Sequence, residues 1–413
     1  MTARWTIPAF SAYGIELEYA IVDASTLDVR PVAGELLRTF AERRSESVAP
    51  SNLDWSNELV SHVVECKNVA PTAGLGQLGD AFQREIQTAN RALEPLAARL
   101  MPAGMHPWMD PRQETVLWTD SQADIYRTYD RIFDCRRHGW ANLQSMHINL
   151  PFADDAQFAR LHAAVRLVLP LLPALAASSP IVEGASAGLL DFRLEVYRTN
   201  AEAFPTIAGE VIPETVASMP EYEARILDPM YREIAELDPD GVLRHEWLNS
   251  RGAIPRFDRS AIEIRVVDTQ ECPQTDVAIA AAAISAIRSL YDERLSTLSQ
   301  QNDVATHALA RTLSASTRVA DEAVIDDARF LAALGMTRSR CSVNEFWRAV
   351  LEDRSHDDSD GGDWWRERVA FILDHGCLAR RILRAVAGDY SRDSLRNVYA
   401  RLCSCLDRGQ LFE

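Results

Sequence analysis

Hydrophobic and polar side chains alternate along residues 13–23, YGIELEYAIVD, where Glu16 and Glu18 lie among aliphatic and aromatic residues. Because successive side chains of a β-strand point to opposite faces, this pattern predicts a strand that carries both carboxylates on one face. Two like charges this close repel each other unless water, a basic side chain or a metal cation compensates them. The segment is therefore either an edge strand with a solvated acidic face or a strand that binds a cation.

The periodicity of the rest of the chain predicts further elements. Strands are expected at the centre of 57–68, across 142–152 and over 261–268, and helices over 32–44, 122–137, 154–177 and 214–237. Another long helix is expected to be capped by Thr72 and to run to about residue 99. From Thr275 onward the pattern is almost wholly helical.

The distribution of these elements indicates the fold class. Strands are concentrated in the first two thirds of the chain, without a regular βαβ cadence, which predicts an α+β fold with an antiparallel or mixed sheet. We expect the helical region from about residue 301 either to cap that sheet or to form an appendage. The acidic segment SHDDSDGGD, 355–363, lacks the spacing of a calcium-binding loop, so we expect disorder or a mobile turn there.

Composition and charge narrow the classes of function. The chain has 60 Asp and Glu residues against 43 Lys and Arg, a formal net charge of -17 that argues against nucleic acid as a partner. No run of about 18 apolar residues is present and the start lacks the features of an export signal, so we expect a cytoplasmic protein without a membrane span. The seven cysteines are scattered without CxxC spacing, which indicates reduced thiols.

Three further predicted strands carry polar residues where aliphatic ones are expected. These are Glu58 and Glu65 around the second strand, His147 and Asn149 on the third, and Glu263 and Arg265 on the fourth. Each pair alone has a simpler explanation. A strand histidine is more often a hydrogen-bonded core or surface residue, acidic residues more often lie on a solvated face, and Glu and Arg two positions apart more often form a surface ion pair. Together they would line one sheet with carboxylates, a histidine and an arginine. Such a surface suits a nucleotide–magnesium site, because Mg²⁺ prefers hard oxygen ligands.

The spacing of Glu58 and Glu65 needs a local explanation. Seven positions separate them, so in one regular strand they would face opposite ways. We expect either a bulge or a position for Glu58 just before the strand.

Other sequence motifs give weaker evidence for a binding or catalytic site. The GxGxxG match at 74–79 follows a polar strand, and no second strand is expected to close a βαβ unit after the helix. Small residues that ease helix packing are therefore preferred to a dinucleotide site. The sequence has no GxxxxGK[ST] loop and no H-E-x-x-H motif, and Cys66 is more simply a small core residue than a nucleophile. The sheet itself is thus the expected phosphate platform.

Six segments occur in the order GIELEYAIVD, ELVSHVVECKN, AGMHPW, SMHINLPF, ALAASSPIVEGASAGLLDFR and NSRGAIPRFDRSAIEIRVVDTQECP. They resemble the type 2 glutamate–cysteine ligase family, also called the carboxylate–amine ligases, within the glutamine-synthetase-like superfamily. The resemblance covers about residues 10–290. Its most specific parts are the ELE strand, the block from SSP to Arg193, and the EIR strand.

The resemblance implies a funnel of about six antiparallel strands with helices packed outside, and roles for individual residues. The implied metal ligands are Glu16, Glu18, Glu58, Glu65, His147 and Glu263, with ATP and Mg²⁺ or Mn²⁺ as cofactors. The implied catalytic residues are Glu18, Glu65 and Arg265. The implied substrate- or nucleotide-binding residues are His147, Asn149, Arg193, and Arg251 or Arg256. Asn149 departs from the commoner H-x-H-V pattern of the family.

The resemblance also implies the reaction. ATP would phosphorylate a small-molecule carboxylate before an amine displaces the phosphate, with glutamate and cysteine as substrates in glutathione biosynthesis. Alternatives are another amino acid, a diamine or a peptide as substrate, or a catalytically silent binding protein. Residues 1–300 would form the catalytic domain and 301–413 a helical region with surface for a homodimer. Because water would hydrolyse an acyl phosphate, a closing loop is also expected, and SAGLL, 186–190, and PAGMHPW, 102–108, are the candidates, although either segment could be a simple connection.

Overall fold

The structure is a computed structural model that describes residues 7–46, 52–354 and 363–413. The acidic segment at 355–363, for which we expect disorder or a mobile turn, lies outside the described residues except for Asp363. In the described ranges, no helix combines the length and the apolar character needed to cross a bilayer.

The strands are β1 (Gly14–Asp23), β2 (Leu53–Asn57), β3 (Val63–Asn68), β4 (Ala98–Met101), β5 (Ser145–Pro151), β6 (Ile181–Val182), β7 (Ala185–Ser186), β8 (Ala253–Arg256), β9 (Ala261–Asp268), β10 (Val324–Ile325) and β11 (Cys341–Ser342). The main sheet has the order β2-β3-β1-β5-β9-β8, and β4 also pairs with β1. All of its pairings are antiparallel. The expected sheet of about six antiparallel strands is confirmed, and it is open, with β2 and β8 at its edges.

The helices of the first two thirds are α1 (Ala33–Glu46), α2 (Leu78–Leu93), α3 (Pro111–Glu114), α4 (Ala123–Phe133), α5 (His138–Ala141), α6 (Asp155–Val168), α7 (Pro173–Ala176), α8 (Phe192–Thr199), α9 (Pro205–Ala208), α10 (Met219–Tyr222), α11 (Asp228–Glu233) and α12 (Pro273–Tyr291). The later helices are α13 (Leu298–Asn302), α14 (Thr306–Val319), α15 (Ala328–Ala333), α16 (Val343–Glu352), α17 (Trp364–His375), α18 (Leu378–Val386) and α19 (Arg392–Arg408). The expected helical character beyond residue 301 is confirmed.

The side chains on both faces of β1 are buried, as expected for a strand in the interior of the sheet. Ile15, Leu17 and Tyr19 are fully buried in the main hydrophobic core, as the alternating pattern predicts. Glu16 and Glu18 on the opposite face are only 8% and 7% exposed. The interpretation of β1 as an edge strand with a solvated acidic face is therefore wrong, because β3 pairs with one edge, β4 and β5 pair with the other, and both carboxylates are nearly buried.

Three expectations about local structure differ from the observed elements. Thr72 does not cap a helix: its backbone N–H and C=O pair with Tyr13, and α2 begins only at Leu78. The helix expected over 214–237 begins at Met219 and contains a π-helical turn at Glu223–Leu227. The strands β2, β4 and β8 are too short to show a clear alternating pattern and were not expected.

The region around the GxGxxG match also differs in one respect. A strand, β4, does follow α2, and it runs parallel to β3 with β1 between them. The expectation that no second strand follows this helix is therefore wrong. A Cβ atom on Gly79 would lie 3.1 Å from the Cα of Gln274, so the glycine allows α2 to approach the start of α12. This contact supports the packing interpretation of the motif.

The helices beyond residue 301 pack against the rest of the chain. The buried Trp347 of α16 donates a hydrogen bond from its indole N–H to the carbonyl of Leu171, at 2.8 Å. Arg381 of α18 forms a buried ion pair with Glu271, three residues beyond the end of β9. The main hydrophobic core includes side chains from both regions.

Candidate active site

The polar residues of the sheet share one face because of the strand register. Glu18 lies opposite Glu65, Glu16 lies opposite His147, and Asn149 lies opposite Glu263. A cavity of about 480 Å³ lies over this face. Its charged lining residues are Glu16, Glu18, Glu58, Glu65, Lys67, His147, Arg193, Arg256, Arg259, Glu263 and Arg265.

Two groups of three side chains in this cavity have the geometry of cation sites. The first consists of Glu16, Glu65 and His147, and the second of Glu18, Glu58 and Glu65. Within each group the ligand atoms lie within 4.8 Å of one another. Carboxylate oxygens dominate both groups, which fits Mg²⁺ or another hard divalent cation. Glu58 follows β2 and precedes β3, so the expectation that it lies just before the strand is confirmed.

Residues of β5 fix the carboxylates of β1. Ser145 donates hydrogen bonds from its backbone N–H and its hydroxyl to Glu18 Oε2, at 2.7 and 2.8 Å. The amide of Asn149 donates to Glu16 Oε1 at 3.0 Å. The imidazole of His147 lies between them, 3.5 Å from Glu16 and 3.7 Å from Glu18. Asn149 is outside the cavity lining, so its contact with the site runs through Glu16.

Glu263 is held by arginines on both sides. Arg265 Nε donates to one oxygen at 2.7 Å and Arg256 Nη1 donates to the other at 2.9 Å. Glu263 lines the cavity but belongs to neither group of three. Its expected place at the site is observed, while both of its oxygens already accept hydrogen bonds from arginine.

The close packing of carboxylates shifts their pKa values in opposite directions. Burial and the charges of Glu65 and Glu18 raise the pKa of Glu58 well above its ordinary value. Burial and the charge of Glu16 also raise the pKa of Glu65. Burial opposes ionisation of Glu16 as well, but the hydrogen bond and charge of His147 lower its pKa well below the ordinary range. The cluster therefore stores repulsion that a bound cation would relieve.

Arg193 reaches the cavity from α8. Its Nε donates to Asp268, and its Nη atoms lie 3.5 and 3.4 Å from the backbone carbonyl of Arg265. Asp268 also accepts hydrogen bonds from the hydroxyl of Ser179 at 2.8 Å and from the backbone N–H of Ser178 at 2.9 Å. The SSP block, Arg193 and the end of β9 thus form one buried network behind the site.

The two arginines left as alternatives occupy different places. Arg256 lines the cavity. Arg251 lies outside the lining and forms a bidentate ion pair with Glu214, with both contacts at 2.6 Å. Its Nη1 also donates to the carbonyl of Thr206 at 3.0 Å. Arg251 is therefore part of the scaffold, and the inclusion of Arg251 among the binding residues is not supported by its position.

Neither expected closing loop lines the cavity. Residues 102–107 are buried, and His106 is fixed by hydrogen bonds to the backbone of Leu27 and Met109. A Cβ atom on Gly104 would lie 2.5 Å from the carboxylate of Asp268. This segment is a packed part of the scaffold.

Comparison with known proteins gives the family of the chain. The sequence model of glutamate–cysteine ligase family 2 matches residues 12–401. The chain belongs to this family. Among similar proteins, an uncharacterized protein of Archaeoglobus fulgidus is 29% identical over 399 residues, 97% of this chain and 99% of that protein. A putative glutamate–cysteine ligase 2 of Bradyrhizobium sp. is 27% identical over 391 residues, 89% of this chain and 78% of that protein.

A solved structure shares the fold of this glutamate–cysteine ligase family 2 chain. It is a glutamate–cysteine ligase from Francisella tularensis in complex with AMP, with a TM-score of 0.64 and 10% sequence identity. The match covers 96% of this chain and 88% of that one. At this identity the likeness establishes the architecture alone.

Several lining residues of this family member were missed by sequence reasoning. Ser145 and Lys67 lie two positions from His147 and Glu65, so the strand period could have found them. The aromatic wall of the cavity, formed by Tyr126, Tyr129, Trp140 and Trp247, follows no strand period that could have identified it. Tyr129 of α4 packs against Trp140 and Trp247, with ring centroids 5.3 and 5.7 Å apart. All three line the cavity together with Tyr126, but as sequence they read as ordinary packing residues.

Proposed function

We propose that this protein is an ATP-dependent carboxylate–amine ligase that activates a carboxylate as an acyl phosphate, with glutamate and cysteine as the first candidate substrates. The observation that carries the proposal is the convergence of the acidic residues of β1 and β3 with His147, Arg256 and Arg265 on one cavity wall. Membership of glutamate–cysteine ligase family 2 supports it.

The chemistry requires an activated carboxylate. A carboxylate and an amine form a salt at neutral pH, so one carboxylate oxygen must become part of a leaving group before an amide can form. Transfer of the γ-phosphoryl group of ATP makes that oxygen part of phosphate. Negative charge spreads over the transferring oxygens, and fixed positive charge stabilises them.

The acidic residues would provide the magnesium sites. Glu16, Glu65 and His147 would hold one Mg²⁺, and Glu18, Glu58 and Glu65 a second, with Mn²⁺ as a substitute. Bound there, the ions would neutralise phosphate oxygens and orient them. Glu263 would act mainly by fixing Arg265 and Arg256, since both of its oxygens are bonded to them.

The arginines would contact the anionic substrates. Arg265 and Arg256 present guanidinium groups beside the acidic wall, and Arg193 is held by Asp268 with its Nη atoms toward Arg265. A planar guanidinium matches phosphate and carboxylate oxygens, which suits binding of a triphosphate or an acyl phosphate.

A proton must leave the amine before or during attack. Glu58, Glu65 and His147 lie in the cavity, and burial raises the pKa of both carboxyl groups. A carboxylate with a raised pKa is a stronger base than an ordinary carboxylate once it is ionised. We assign the step to a glutamate of this set or to His147.

We further propose that residues 1–300 form the catalytic unit and that 301–413 support it. Among the described residues, those that line the cavity all precede residue 301. The helices beyond residue 301 contact residues 1–300 through ion pairs such as that of Arg381 with Glu271.

The test is a set of incubations with ATP, Mg²⁺ and glutamate, with and without cysteine or other amines, in which ADP release and the amide product are measured. Amine-dependent ADP release with formation of an amide supports the proposal, and the best amine identifies the acceptor. Release of ADP without any amide, or ATP binding without turnover for every pair, would indicate a different activity or a silent binder.

The aromatic wall favours a second candidate, the same chemistry on an amine or amino acid with an apolar group. Tyr126, Tyr129, Trp140 and Trp247 line the same cavity as the acidic residues. Aromatic rings pack favourably against apolar side chains, including ones larger than that of cysteine. The amine panel therefore includes aromatic and branched amino acids.

A further inference from the structure

Lysine occurs once in this chain, at position 67. The 43 basic residues counted as Lys and Arg are otherwise all arginine. The single lysine lies in the cavity, on the same face of β3 as Glu65. The one lysine of a chain that otherwise uses arginine thus lies where several carboxylates meet.

The surroundings of Lys67 identify what it contacts. Its Nζ forms an ion pair with Glu65 Oε1, which also accepts a hydrogen bond from the hydroxyl of Ser56 at 2.9 Å. Across the sheet, Lys67 lies opposite Glu16. The Lys67 side chain is 32% exposed, whereas that of Glu65 is 5% exposed. The ammonium group therefore approaches the cluster from the cavity side.

Glu65 is the carboxylate common to both groups of three potential metal ligands. An ammonium group is a compact point charge that donates hydrogen bonds in several directions, much as a small cation is surrounded by oxygen ligands. A guanidinium is planar and larger, so it fills the same space less well. These properties explain why lysine, and not arginine, suits this position.

We propose that Lys67 is an internal counter-cation of the acidic cluster, which binds Glu65 in the metal-free protein and releases it when a divalent cation binds. The inference rests on the magnesium site of the proposed function. It assigns Lys67 two opposing effects: the ammonium stabilises the folded protein without metal, and it weakens metal binding by competing for Glu65.

Because the chain has one lysine, the release of Glu65 by Lys67 can be followed directly by NMR. Protein grown with ¹³C- and ¹⁵N-labelled lysine gives one side-chain signal by NMR, and the K67R variant gives none. Titration of the otherwise unmodified protein with Mg²⁺, without ATP or amine, is expected to move this signal to a new saturating position. A signal that stays unchanged while Mg²⁺ binding is detected by calorimetry would overturn the inference.

Variants test the competition independently. K67M removes the charge and keeps much of the side-chain volume. We expect Mg²⁺ to bind K67M about tenfold or more tightly than wild type, because a positive charge next to the site is gone. In EDTA, K67M is expected to melt at a lower temperature than wild type. Equal or weaker Mg²⁺ binding by a folded K67M would refute competition. If K67M does not fold, K67Q is measured in the same way.

The outcomes separate this inference from the proposed function. Absence of Mg²⁺ binding to the wild type would remove the metal site itself and with it the inference. Mg²⁺ binding with a shifted lysine signal, but no ligation of any substrate pair, would uphold the role of Lys67 and reject the ligase proposal.

Discussion

The side chain of Arg193 donates from Nε to the carboxylate of Asp268, and their side chains are only 2% and 0% exposed. The contact joins α8 to the end of β9. Because the Nη atoms of Arg193 then lie near the carbonyl of Arg265, Asp268 determines where the guanidinium points into the cavity. Asp268 touches no substrate in the proposed reaction and acts as a positioning residue.

Replacement D268N tests this role. The amide cannot balance the buried guanidinium, so we expect both a loss of stability of about 3 kcal/mol and a rise in the KM for ATP. Thermal unfolding and steady-state kinetics measure the two effects. The matched control is E214Q, which disturbs the Arg251 ion pair outside the cavity. E214Q should lower stability without raising the KM for ATP; equal kinetic changes in both variants would contradict the assignment.

Loss of the Glu18 charge should remove turnover while the fold is kept. In E18Q an amide replaces the carboxylate that Ser145 holds, and we expect kcat to fall about a thousandfold because phosphoryl transfer loses electrostatic support. S145A is the graded comparison: Glu18 keeps the backbone N–H donor, so the loss should be nearer tenfold. Circular dichroism checks the fold. An E18Q variant as active as wild type would contradict the site.

Magnesium should stabilise the folded protein through the shared ligand Glu65. A ligand that binds only the folded state at 100 times its Kd adds about 2.7 kcal/mol, so the melting temperature should rise with Mg²⁺ and return in EDTA. E65Q should lose this response, since both groups of three lose a carboxylate. The exposed Glu35 provides the control, E35Q, which should respond as wild type does. Retention of the full response by E65Q would exclude Glu65 as a ligand.

Acid should destabilise the protein through His62. Burial lowers the pKa of His62 to about 4 from an ordinary 6.5, and the ring donates from Nε2 to the carbonyl of Ala141. Between these pH values the unfolded chain binds a proton that the folded protein excludes. Stability from this group is therefore complete above pH 6.5 and falls as the pH drops toward 4.

The H62Q variant isolates that contribution. Glutamine can keep the hydrogen bond to Ala141 but cannot titrate. From pH 7.5 to pH 5.0, wild type should lose about 2 kcal/mol more stability than H62Q in urea unfolding. Equal losses in the two proteins would show that His62 does not contribute to the acid response.

Much of the site was predictable because strand periodicity is local. The alternation around Glu16 and Glu18 placed both acids on one face, and the same argument applied to His147 and to Glu263. The structure brings these strands together in the expected antiparallel sheet. Family motifs pointed to Arg193 and left Arg251 and Arg256 as alternatives.

What the sequence could not predict depends on contacts between distant segments. Thr72 has the side chain of a helix cap, but its backbone pairs with Tyr13. Trp140 and Trp247 lie more than a hundred positions apart and meet at the cavity only through Tyr129. Arg251 could be separated from Arg256 only once Glu214 was placed beside it.

The pairing of β1 with β5, and of β5 with β9, has a consequence for biosynthesis. The acidic face is complete only when residues near 16, 147 and 263 have met. A nascent chain that ends before β9 therefore cannot assemble it. Contacts of such long sequence separation form slowly, because loop closure costs entropy before the sheet stabilises them. On the ribosome the carboxylates of β1 would therefore lack the part of the cavity wall formed by Glu263 and Arg265 until β9 had emerged.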